Sequence, residues 1–253
     1  MSQLLSLYGK TVSLVATVFV VSLTVLTLTL VSISASEERD RVRDLERTIL
    51  LANSYVRDFI ITRNPDFAKD TELILQKAVF IVQKGVRAEN FQKLHNEVLM
   101  YLHSIDNLIE AYQEMGFYED DGLEGQIRRQ FNSIERQLNQ AGLNQGMLAL
   151  LAARRHEKNY ILRGNEQYVA GVHESIDNLM QLISQSALSK EETAGLFAEL
   201  AEYQHNFDKL VSLTARVSWI QEQLHYFRGN IGDTLQSVIA TERVRALFFL
   251  WAA

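Results

Sequence analysis

The chain has 253 residues, a single proline, twelve glycines, no cysteine and a formal charge of −6. Without cysteine, disulfide frameworks, zinc–thiolate sites and thiol nucleophiles are excluded. Charges of both signs are mixed along the chain with no basic face, which argues against nucleic-acid binding, and so few helix breakers direct the chain to an all-α fold.

Residues 1–10 precede the first apolar run. From Thr11 to Ile33 the chain carries no charge. About 20 apolar residues are what a helix needs to cross the hydrocarbon core, so 11–34 reads as a transmembrane helix. A cleaved signal peptide is the rival, with small residues at Ser32, Ser34 and Ala35, but the apolar run exceeds the ~7–15 residues of such a peptide. The charge count is a poor guide to orientation: only Lys10 precedes the run, whereas Arg39, Arg41 and Arg43 follow it.

Residues 35–245 show helical periodicity nearly throughout. One seam runs through Leu45, Ile49, Ala52, Val56 and Phe59. A second runs through Leu94, Val98, Tyr101, Ile105, Leu108 and Tyr112, and a third through Tyr203, Phe207, Leu210, Thr214 and Val217. Their steps of three and four are those of bundle seams. The pattern predicts a long helix over 37–84, kinked or stopped at Pro65 and spanning roughly 70 Å if continuous. Helices over 90–116 and 122–141 follow, then a second long helix over 146–187 with a break at Gly164-Asn165, and a final pair over 190–227 and 230–245 separated near Gly229. After Arg245 the chain turns apolar, and 246–253 (ALFFLWAA) reads as the start of a second transmembrane helix, truncated. The expected architecture is two stacked four-helix bundles sharing the two long helices, membrane-anchored.

The chain also repeats itself. LLANSYVRDFIITRNPDF (50–67) aligns with LAARRHEKNYILRGNEQY (151–168), YLHSIDNL (101–108) with YQHNFDKL (203–210), and GQIRRQFNSI (125–134) with GNIGDTLQSV (229–238). The three blocks keep their order at nearly constant offset. Two units of about a hundred residues are a duplication rather than a solenoid.

EMGFYEDDGLEGQIRRQFNSIE (114–135) followed by LLAARRHEKNYILRGNEQYV (150–169) resembles the helical bimodular ligand-binding domain of bacterial methyl-accepting chemoreceptors and some sensor histidine kinases. The element carrying the resemblance is Gly122, Leu123, Gly125, Ile127 and Arg128, together with Arg154 to Lys158. The resemblance spans the region between the two apolar segments. It implies a periplasmic domain on the bacterial inner membrane, a cytoplasmic N-terminus, homodimerisation, and binding of small organic anions, notably carboxylic acids.

Arginine suits a carboxylate because its planar fork pairs two oxygens and stays charged. In the membrane-distal bundle the candidates are Arg128, Arg129, Arg154 and Lys158. In the proximal bundle they are Arg47, Arg57, Arg216 and Arg228, with the Thr234 hydroxyl. The bland alternatives are ion pairs of Arg154 with Glu157, and of Arg128 with Glu124, Asp120 or Asp121. Most of the proximal five are expected at the surface, since a bundle cannot bury so many unpaired charges. His103 and His205 occupy equivalent repeat positions and are expected to share a packing role. No HExxH, phosphate loop or GxSxG elbow occurs, so no catalytic residue, metal or cofactor is expected. Besides a sensor, the chain suits a module that docks a periplasmic binding protein through an apolar tip near Phe117, Tyr118 or Leu143, or a ligand-free stalk.

Overall fold

In a computed structural model the seams fold as seven α-helices among the described residues: α1 (Ser2–Thr62), α2 (Pro65–Lys84), α3 (Glu89–Met115), α4 (Gly122–Gln140), α5 (Asn144–Arg163), α6 (Gln167–Ser184) and α7 (Lys190–Trp251). The structure describes the backbone of 2–84 and 89–251, and the side chains of 19–30, 32–33, 36–37, 40–83, 92–241 and 244. The side chains of 11–18 in the expected first span and of 246–253 therefore lie outside the described residues, as do residues 85–88 of the break expected within 85–90. Among the described residues no helix is long and apolar enough to cross a membrane. Described side chains of the uncharged run begin only at Phe19.

The periodic residues are the core. Leu45, Ile49, Ala52, Val56 and Phe59 of α1 are buried, as are Leu94, Val98, Tyr101, Ile105, Leu108 and Tyr112 of α3. Tyr203, Phe207, Leu210 and Val217 of α7 are buried too, whereas Thr214 is half-buried. Each such leucine, isoleucine or phenylalanine contributes on the order of 1.5–3 kcal/mol through removal from water.

The breaks expected at Asn64-Pro65 and Gly164-Asn165 are present: α1 ends at Thr62 and α2 starts at Pro65, while α5 ends at Arg163 and α6 starts at Gln167, so neither long stretch is one continuous helix. By contrast, the expected break at Gly229 is absent and α7 runs through it. A lone interior glycine costs a helix only about 1 kcal/mol, and the buried stripe of Leu224, Ile231, Leu235 and Val238 holds both sides of it.

Contacts sort the chain into two compact units. Unit 1 contains 1–55, 70–102 and 226–253; unit 2 contains 56–69 and 103–225. α1, α2, α3 and α7 thus each contribute to both units; of the two stretches expected to be shared, 37–84 is divided between the units, whereas 146–187 lies wholly in unit 2. Residues 70–84 belong with 1–55, and the chain turns at Arg63–Asn64, beside the Pro65 where a kink or stop was expected.

The duplication is visible atom by atom at the two matching turns. Arg63 and Gly164, equivalent in the repeat, both take left-handed backbone (φ 53 and 64). Their amides donate to the Phe59 and Tyr160 carbonyls, each at 2.7 Å. Next, Asn64 and Asn165 each accept from the amide two residues on, at 2.9 Å in both cases, which starts α2 and α6. Asparagine side chains favour this role because they mimic a backbone turn. At Gly164 the left-handed conformation is free of steric cost, whereas at Arg63 it costs on the order of 1 kcal/mol. Arg63 is tied down by what its side chain does: it donates to Glu124 at 2.7 Å and lies 5.3 Å from the Tyr112 ring centre.

Membership of the units follows the repeat in a crossed manner. Unit 1 combines most of α1 and α2 and the start of α3, from the first repeat, with the end of α7, from the second. Unit 2 combines α5, α6 and the start of α7 with α4, which is the first repeat's equivalent of that end, and with residues 56–69 and the end of α3.

Candidate functional site

The charged residues near α4 and α5 of unit 2 split into two layers. The inner layer is Arg154, Glu157 and Tyr203. Glu157 is 2% exposed, a carboxylate with almost no water around it. Burying such a charge is costly unless it is fully paired. Here one oxygen accepts from Arg154 and the other accepts from the Tyr203 hydroxyl at 2.6 Å. Arg154 also lies over the Phe131 ring of α4, 5.2 Å from its centre. Burial pushes the Tyr203 hydroxyl well above the ordinary tyrosine range, and the adjacent Glu157 charge pushes it further. The pair of Arg154 with Glu157 is the structural alternative set out from the sequence, and Arg154 is committed to it.

The outer layer lies on the 116–121 loop. Arg128 donates to Glu119 and, at 2.9 Å, to Asp120. Arg129, an exposed residue, donates to the Asp120 carbonyl at 3.2 Å. Lys158 is exposed. The Arg128 hydrogen bond, with the charges of Lys158 and Arg154 nearby, holds the Glu119 carboxyl below the ordinary carboxylate range. The loop is seated on α4 at Gly125, where a Cβ would overlap the Asp120 carbonyl. Arg128 thus fixes a turn through Glu119 and Asp120, while Glu124, its other candidate partner, pairs with Arg63.

The five residues expected together in the proximal bundle do not all share a unit. Arg57 and Arg216 belong to unit 2, because the unit boundaries fall at 55/56 on α1 and 225/226 on α7. Arg216 pairs with Glu110 at 2.8 Å and Glu114 at 3.7 Å. Arg57 is exposed beside Asp58. Unit 1 keeps Arg47, exposed on α1, Arg228, exposed on α7, and Thr234, 3% exposed.

Unit 1 has a polar centre that the arginine search missed. Tyr101, 2% exposed, donates to Asn53 Oδ1 at 2.5 Å. Burial pushes the Tyr101 hydroxyl up to about 12, and the Arg228 charge pulls against that shift. The Thr234 hydroxyl is buried and has no hydrogen-bond partner among the described residues. A threonine in a helix ordinarily bonds back to the carbonyl four residues earlier, as Thr48 does to Asp44 at 2.6 Å. The repeat alignment held the signal for this centre: Tyr101 matches Tyr203, and Asn53 matches Arg154.

The expected packing role of His103 and His205 is not found. Both are exposed, and the tyrosines two residues before them fill the core instead. At the loop tip, Phe117 is turned against Phe59 (ring centres 6.3 Å apart) and Leu143 is half-buried, leaving Tyr118 as the exposed aromatic. No protein-family model, curated protein or solved structure matches the chain.

Proposed function

We propose that the chain is the membrane-anchored, extracytoplasmic sensing region of a bacterial transmembrane receptor of the chemoreceptor type. In this reading it binds a small organic acid, works as a homodimer and catalyses nothing. Its two units are four-helix bundles that move α7 relative to α1 when ligand binds, and α1 and α7 carry that displacement across the membrane.

The observation that carries the proposal is the continuity of α1. One unbroken helix, Ser2–Thr62, holds both the uncharged run and the buried seam from Leu45 to Phe59. Within that run, Phe19, Val20, Val21, Leu23, Val25, Leu26, Leu30 and Ile33 are all more than half exposed. These residues point in every direction around the helix, and a helix apolar all round belongs in lipid or in a protein core. Its threonines hide their hydroxyls: Thr24, Thr27 and Thr29 donate to the carbonyls of Val20, Thr24 and Val25. In lipid, where no water is at hand, polar groups must be satisfied in this way. A ligand shifts such a receptor only through different affinity for its two states, and α1 and α7 are the two longest helices, each contributing residues to both units.

The test is thermal unfolding of the full chain in detergent micelles against acetate, succinate, malate and citrate. A ligand at a hundredfold excess over its Kd stabilises the folded state by about 2.7 kcal/mol, a rise in Tm of roughly 5–10 °C for a chain of this size. Absence of any rise across these acids would refute the proposal. It would shift weight to the docking of a periplasmic binding protein, for which the exposed Tyr118 is the one favourable feature.

A further inference from the structure

The helices of unit 2 differ in how much apolar surface they leave to solvent. On α5, Leu148, Leu151 and Leu162 are 62, 46 and 79% exposed, whereas α4 and α6 leave no large apolar side chain exposed among the described residues. With about 3.6 residues per turn, the three leucines and the exposed Arg155 form one stripe, opposite the buried stripe of Ala149, Leu150, Ala153, Glu157 and Tyr160. A row of solvated leucines on the outward side of one helix marks a contact surface.

Charge is divided between α5 and its neighbour α6. α5 carries four basic residues against the single acid Glu157, while α6 carries Glu174 and Asp177 and no lysine or arginine. Arg155, Glu174 and Asp177 are exposed and form no ion pair among the described residues. The packing of the two helices sets their heights. A Cβ at Gly171 on α6 would lie 2.6 Å from Nδ1 of His156 on α5, so these two positions are level. Away from the turn that joins the antiparallel helices, Arg155 lies one residue beyond His156 and Glu174 three beyond Gly171. At about 1.5 Å per residue, Arg155 and Glu174 stand within roughly 3 Å of the same height.

Two copies anchored in one membrane are parallel, so a two-fold axis relating them runs along the helices and preserves height. Rotation about such an axis beside the α5–α6 face sets α5 of each copy against α6 of the other. We propose that this face of unit 2 is where a second copy of the chain docks. Arg155 of each copy pairs with Glu174 of the other, and the α5 leucines leave water between them. Setting α5 against α5 would instead bring Arg155 to Arg155, which like-charge repulsion opposes. This inference rests on the membrane-anchored homodimer of the reading above and assigns its contact surface.

The experiment is sedimentation velocity of the full chain in detergent micelles over a range of concentrations, for wild type and charge-reversed variants. Both positions are exposed, so reversal leaves the core intact. Arg155→Glu and Glu174→Arg should each raise the dimer Kd about tenfold or more, since each sets like charges together twice. The double variant, Arg155→Glu with Glu174→Arg, restores opposite charges and should return Kd to within about threefold of wild type. Leu162→Gln should also weaken the dimer, whereas Arg129→Glu, a reversal on the exposed side of α4, should not. If wild type dimerises and the single reversals leave Kd unchanged, or the double variant fails to restore it, the inference is overturned while the homodimer reading stands. Equal weakening by Arg129→Glu would trace the effect to net charge and also overturn it. A wild type monomeric at every concentration would overturn both.

Discussion

Removing the hydroxyl of either buried tyrosine tests the duplicated centre directly, because equal chemistry should have unequal cost. In Tyr203→Phe the Glu157 oxygen that accepted at 2.6 Å loses its donor. Glu157 is 2% exposed and Tyr203 fully buried, so water cannot replace the lost group. A hydrogen bond to a charged, buried acceptor is worth about 1.5–3 kcal/mol, and the stranded oxygen keeps its desolvation penalty. In Tyr101→Phe the acceptor is the neutral Asn53 amide, which is half-exposed. Water can take up that oxygen, so the cost falls to about 0.5–1 kcal/mol. For a chain of this length the two figures translate into Tm losses of roughly 4–10 °C and 1–4 °C. Thermal unfolding of the two variants beside wild type, followed by circular dichroism at 222 nm, measures both. Equal losses, or a larger loss for Tyr101→Phe, would refute the claim that Glu157 is a buried carboxylate dependent on Tyr203.

Three further outcomes are expected. Glu157→Ala should lower Tm, and added acetate should restore part of the loss through Arg154 and Tyr203; equal behaviour with acetamide would show that the vacated volume, not the charge, is what acetate fills. Gly125→Ala should destabilise by about 1–3 kcal/mol, because its Cβ would overlap the Asp120 carbonyl and push the loop off α4; an unchanged Tm would show that the loop has room to move. The pH dependence follows from Tyr101, whose folded value of about 12 is raised above the ordinary 10. A raised value means that the unfolded chain loses this proton first, so stability is flat below pH 10 and falls as pH rises from 10 toward 12. The full drop is about 3 kcal/mol. Alkaline denaturation of wild type and Tyr101→Phe should show a shallower slope for the variant in that window, and identical slopes would count against the buried hydroxyl.

The fold class and core were legible in the sequence because burial at steps of three and four is a local pattern, and the seam residues from Leu45 to Phe59 and from Leu94 to Tyr112 are indeed buried. The breaks at Asn64-Pro65 and Gly164-Asn165 were legible as well, because proline and glycine mark them locally. Gly229 was misleading, since the stripe through Leu224 and Ile231 holds the helix on both sides of it. The crossed sharing of α4 and the end of α7 between units is a long-range choice that periodicity does not encode.

The site was half legible for a different reason. A search for arginines finds charge, but charge on a bundle is mostly answered by nearby carboxylates, as Arg128, Arg154 and Arg216 show. What distinguishes a site from a structural pair is a buried group left unanswered, and such a group need not be charged. Thr234, the one uncharged residue among the candidates, is the one whose buried polar atom has no partner among the described residues. The duplication then supplies the comparison that a single domain lacks. One copy shows the tyrosine bonded to the Glu157 carboxylate, and the other shows it bonded to the neutral Asn53 amide. Both copies keep the tyrosine and the turn beside it, so the exchange of a charged for a neutral acceptor is what makes the two centres unequal.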